Sequence, residues 1–76
     1  MAPTGPVRAA EGDATTGERI RAARKAVGFT QQGLAAEVQV SRQTIISMET
    51  GDYAPSVYLA IKIARALRVA VEDLWG

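Results

Sequence analysis

From Thr16 to the carboxyl end, apolar residues return every three or four positions, the interval that lines one face of an α-helix. In TTGERIRAARKAVG, Ile20, Ala23 and Val27 form such a stripe. A threonine stands at the capping position before it, and Gly28 stands where helices commonly stop. TQQGLAAEV begins on Thr30 as N-cap, with Leu34, Ala35 and Val38 as its inner face. Ser41 caps RQTIISMET, in which Ile45 and Met48 face inward and Gly51 ends the helix. After the turn APS, Ser56 caps VYLAIKIARAL, where Val57, Ala60, Ala64 and Leu67 make one row with Leu59 and Ile63 beside it. AVEDLW closes the chain as a short final element. No segment of any length alternates at the two-residue period of a strand. The pattern predicts an all-α domain of five short helices over residues 16–76.

Met1–Thr15 (MAPTGPVRAAEGDAT) lacks this period and is rich in Pro, Gly, Ala and Thr, so residues 1–15 read as a flexible tail. A chain of 76 residues holds one domain at most. Cys and His are both absent, which removes disulfides, a zinc finger, a thiol nucleophile and the usual imidazole acid–base group. With no phosphate-binding Gly loop and no recognisable pair of catalytic carboxylates, the sequence predicts no enzyme, no cofactor and no metal site. Charges interrupt every apolar run, so no membrane span is expected. The start lacks the basic-then-apolar order of a secretory signal, and a cytoplasmic setting is the expectation. Net charge is only +1. Arg8 against Glu11 and Asp13 leaves the tail at −1, so the remainder carries +2, eight basic residues against six acidic. Any case for nucleic acid must therefore rest on where charges stand, not on their sum.

Placement is where the chain is informative. Gln31 to Thr50 is a unit of short helix, turn and second helix. Two helices that cross near a right angle need a small residue at closest approach, which Ala35 supplies. Val38, Val40, Ile45 and Met48 then pin the turn and second helix onto the first. This is the spacing of a helix-turn-helix, whose second helix presents its N-terminal end to the major groove of DNA.

The stretch RIRAARKAVGFTQQGLAAEVQVSRQTIISMETGDYAPSVYLAIKIARAL resembles the phage-repressor-like helix-turn-helix family, the Cro and lambda/434 repressor type. It is similar above all to short bacterial regulators with the pattern T-Q-x-x-L-A-x-x-x-x-V-S-R-Q-T-I-x-x-x-E-x-G-x-x-x-P-S. The match runs from about Arg19 to Trp75. The resemblance implies a compact repressor-like DNA-binding domain and a DNA-facing set of Gln31, Gln32, Ser41, Arg42, Gln43, Thr44, Ser47, Thr50 and Tyr53. Gln31, at the first turn of the earlier helix, is implied to touch phosphate and support the recognition side chains. Arg42 and Gln43 take the positions that reach base edges, where Arg pairs with guanine and Gln with adenine. Thr44 is placed for a phosphate or a thymine methyl, and Ser47 lies one turn beyond Gln43. Thr50 and Tyr53 fall where relatives contact the backbone. Arg24 and Glu49 match a structural salt bridge tying the first helix to the third.

The resemblance also implies a transcriptional regulator, a repressor, that binds double-stranded DNA as a homodimer. Its dimer surface is expected on the fifth helix at Leu74 and Trp75, plus the flank of the fourth at Tyr58 and Ile61. Tyr58 and Ile61 are read as core or interface, and Trp75 as buried against the domain or across a dimer contact. Ile46, outward where a polar residue is usual, packs on thymine methyls or on a protein partner. The second reading is a protein-binding module of the antitoxin type, with a toxin or other regulator as partner. For the tail, a basic arm into the minor groove is the alternative to flexibility. Four departures stand out. Gln39 occupies a left-handed turn position usual for Gly, Gly33 leaves the Thr30 capping box incomplete, Arg68 replaces a helix-ending Gly, and Thr50 replaces a frequent Asn.

Overall fold

The computed structural model describes residues 14–76, so the expected tail lies outside the described residues except for Ala14 and Thr15. Five helices follow one another in the described residues, with no strand among them: α1 (Thr16–Val27), α2 (Gln31–Val38), α3 (Arg42–Thr50), α4 (Val57–Leu67) and α5 (Val71–Trp75). Thr15 belongs with the folded part. Its hydroxyl accepts from the Glu18 N–H at 3.1 Å while Glu18 Oε1 accepts from the Thr15 N–H at 3.0 Å, a complete capping box. Thr30, Ser41 and Ser56 cap the next three helices through the N–H three residues on, at 2.9, 3.2 and 3.1 Å. Gly33 thus makes half a box, as its missing carboxylate requires.

The helix ends divide into two kinds. Gly28 and Gly51 close α1 and α3 at φ 96° and 88°, where glycine has no Cβ to clash. Gln39 and Arg68 close α2 and α4 in the same left-handed region, both at φ 62°, without that freedom.

The core is a single cluster of Ile20, Leu34, Ala35, Val38, Ile45, Met48, Ile63, Ala64, Leu67 and Leu74. Ala23, Val27, Leu59 and Trp75 are partly buried against it. Two expectations need correction. Val57 is 77% exposed, so the inner row of α4 is Ala60, Ile63, Ala64 and Leu67. At 3.6 residues per turn, Val57 points roughly 70° off the centre of that row, and it is the first residue of its helix. Leu74, expected at a dimer surface, is 1% exposed within the monomer and serves as the plug of α5. Trp75 follows its burial reading, packed on the domain's own core.

Inside this arrangement α2 packs on α3, α1 on α3 and α5, and α4 on α2. Gly17 marks the tightest approach: a Cβ there would collide with the backbone carbonyl of Glu49. The first turn of α1 therefore abuts the last turn of α3, bringing a positive dipole end to a negative one.

Candidate nucleic-acid interface

Helix α3 is braced along its length and bare at its tip. Ile45 and Met48 are fully buried, and Glu49 at the far end is held by a buried network. Arg24 Nε donates to Glu49 Oε2 at 2.7 Å and Arg24 Nη2 to Glu49 Oε1 at 3.3 Å. Arg24 Nη1 also donates to the Phe29 carbonyl at 2.9 Å, so one guanidinium locks α1, the α1–α2 turn and α3 together. The side chains of the pair are 8% and 1% exposed. This is the structural salt bridge read from the sequence.

At the other end, Ser41, Arg42 and Gln43 are exposed, and Arg42 enters no ion pair among the described residues. Ser41 performs its capping duty and also exchanges a hydrogen bond with the Thr44 hydroxyl at 3.0 Å. Gln43 Nε2 donates to Ser47 Oγ at 3.4 Å, aligning the two polar side chains along one outer face. Thr44, Ile46 and Ser47 are half-buried flanks of this face. The chemistry on offer is a guanidinium fork, a carboxamide and hydroxyls, carried on a rigid rod. Such a set can read base edges by hydrogen bonding.

The remaining predicted residues divide. Gln32 is exposed on α2. Gln31 is half-buried, and its amide nitrogen donates to Glu49 Oε1 at 3.1 Å, so it braces Glu49 and not Arg42 or Gln43. The Thr50 hydroxyl is used locally, facing the Ser47 carbonyl at 3.2 Å and Asp52 Oδ2 at 3.1 Å. Tyr53 is 45% exposed. Tyr58 and Ile61 are 74% and 37% exposed, which removes their core reading and leaves them with Val57 as an apolar patch opening α4. Lys62 lies beside it, 5.5 Å from the Tyr58 ring centre and 3.2 Å from Gln39 Oε1. Sequence reasoning missed Gly17, the Gln31–Glu49 tie, and Arg21, whose Nε stands 3.9 Å from Glu49 Oε1. Arg21 was findable: it precedes Arg24 by three residues, hence on the same helix face.

Residues 20–74 match a family model described as helix-turn-helix. The chain belongs to the helix-turn-helix family. It is 54% identical over 57 residues to an uncharacterized HTH-type transcriptional regulator of Methanothermobacter thermautotrophicus, covering 74% of this chain and 83% of that one. Among solved structures it is similar to the P22 c2 repressor in complex with a synthetic operator, with a TM-score of 0.78 and 31% identity over 82% of this chain and 94% of that chain. It is also similar to SinR, the master regulator for biofilm formation, in complex with DNA: TM-score 0.76, 28% identity, 82% of this chain and 100% of that. A hydroxypropylphosphonic acid epoxidase from S. wedmorenis shares the fold at 20% identity, over 31% of its own length, and shares no more than that. No helix among the described residues is long and apolar enough to cross a membrane.

Proposed function

We propose that this chain is a sequence-specific transcriptional repressor that inserts the N-terminal end of α3 into the major groove of duplex DNA. The observation that carries this is the pairing of an exposed Arg42 and Gln43 with a helix whose other faces are fixed by Ile45, Met48 and the Arg24–Glu49 pair. A reading head must be both bare and immobile, because a good bidentate contact discriminates by about 1–3 kcal/mol only when its geometry is held. The regulators and repressors to which the chain is similar support the same reading.

One such tip covers few base pairs, so the protein acts as a homodimer on two half-sites about 34–36 Å apart. With Leu74 committed to the core, the surface left for pairing is the α4 flank of Val57, Tyr58 and Ile61. The same patch supports a second reading, a module that also docks a protein partner. Selection of bound duplexes from a random pool tests the main proposal. A recovered palindrome supports it, and recovery without sequence preference refutes it. Arg42→Ala should flatten the selected preference while leaving the fold intact; a variant that selects the parent's sequence shows that Arg42 reads no base.

A further inference from the structure

We infer that Ile46 is a specificity-determining residue that packs on the 5-methyl group of a thymine, beside the base pairs met by Arg42 and Gln43; this rests on the duplex-binding reading above. At 3.6 residues per turn, Ile46 projects about 40° from Arg42 and about 60° from Gln43, so it falls between them around the axis of α3. Along that axis it stands about 6 Å from Arg42 and about 4.5 Å from Gln43. Those spans equal one to two base steps at about 3.4 Å each. The buried side of α3 is Ile45, Met48 and Glu49, and the outer side carries Gln43, Ser47 and Thr50, all polar. Ile46 breaks that polar surface with a side chain that can neither donate nor accept a hydrogen bond.

The fold does not explain the isoleucine. The other half-buried aliphatic and aromatic side chains among the described residues, from Val27 to Trp75, pack against the core, and Ile46 does not. Its branched Cβ also makes it a slightly poorer helix former than a straight-chain residue. A single apolar residue on a surface is ordinary. One set between two base-facing side chains is not, because the edge it meets decides what it can do. In the major groove the bases offer hydrogen-bond donors and acceptors, with one apolar group among them, the thymine methyl. Against any other edge, isoleucine would strand a polar group without a partner. The methyl is the feature it complements. Thr44 also carries a methyl, but it projects about 160° away around the axis, and its hydroxyl lies 3.0 Å from Ser41 Oγ. The two side chains therefore face different edges and are separable by experiment.

The test titrates the full chain by anisotropy with the duplex it selects, each thymine in turn replaced by deoxyuridine, which lacks only the methyl. A thymine within two steps of the positions whose preference Arg42→Ala flattens should lose affinity about four-fold per half-site, the worth of one buried methyl-sized group. Ile46→Ser should bind the thymine and deoxyuridine duplexes equally while keeping the parent's thermal midpoint. Ile46→Val, which retains a branched aliphatic end, should keep most of the parent's difference. A parent indifferent to deoxyuridine at every such position overturns the contact. So does an Ile46→Ser chain that keeps the parent's difference, and if Thr44→Ser then abolishes it, the methyl belongs to Thr44. A parent chain that selects no sequence overturns the DNA reading and the Ile46 contact together, and that result appears before any variant is made.

Discussion

At the scale of single residues, the ranking of substitutions follows from which groups would be left buried and unanswered. Arg24→Ala strands the Glu49 carboxylate at 1% exposure, and Glu49→Ala strands the guanidinium. Each is expected to cost about 3–5 kcal/mol, read as a lower midpoint in urea unfolding. Gln31→Ala removes one of three short bonds to that carboxylate and should cost less, about 1–3 kcal/mol. Gly17→Ala adds only a methyl, yet it drives that methyl into the Glu49 carbonyl, so α1 must shift. Overpacking of this kind costs about 1–3 kcal/mol, and a Gly17→Ala chain as stable as the parent in the same titration would show that α1 moves off Glu49 without cost. Of these four residues, Arg24 and Glu49 were legible because they recur at a family spacing. Gln31 was assigned to phosphate and to support of the recognition side chains, not to Glu49, and Gly17 drew no notice, because each depends on how one helix crosses another.

At the scale of elements, start and stop signals were the most legible part of the chain. Four helices begin on the Thr or Ser that capping chemistry favours, since the cap oxygen answers an N–H only three residues away. Stops were equally local: Gly28 and Gly51 end their helices, and the two exceptions, Gln39 and Arg68, adopt the left-handed backbone all the same. Those exceptions carry removable strain. Gln39→Gly and Arg68→Gly should each raise stability by about 1 kcal/mol, or about 4–8 °C in thermal midpoint for a domain of this size. The Gln39–Lys62 bond lost in the first is exposed and offsets little. A double variant that gains the sum of the two shows the helix ends to be independent, and one with no more than a single gain shows them coupled through the packing of α2 on α4. Periodicity served less well along α4. It put Val57 inside, because a 3.6-residue repeat tolerates a stripe that drifts, and only the neighbour across the stripe decides its edge.

At the scale of the whole molecule, the question is what the exposed apolar opening of α4 is for. Val57 and Tyr58, more than 70% exposed side by side, form with Ile61 an apolar patch open to a partner. If that partner is a second copy, Tyr58→Asp should produce monomers in sedimentation and weaken operator affinity, with thermal stability unchanged. A dimeric Tyr58→Asp protein would move the interface elsewhere and leave the patch to another protein. Either way the substitution spares the α3 tip; on the proposed function, its Arg42→Ala variant should lose base preference while remaining folded.

The sequence by itself determined the things that neighbours in the chain decide: an all-α order, the caps, the turn between α2 and α3, and the polar run after Ser41. These are short-range matters of hydrogen-bond reach and helical period. Tertiary structure alone decided that Leu74 plugs the core, that Val57 does not, that Gln31 leans on Glu49, and that Arg21 stands 3.9 Å from the same carboxylate. The reason is that burial and charge balance are sums over side chains brought together from different helices, and no local pattern records who will stand across from whom.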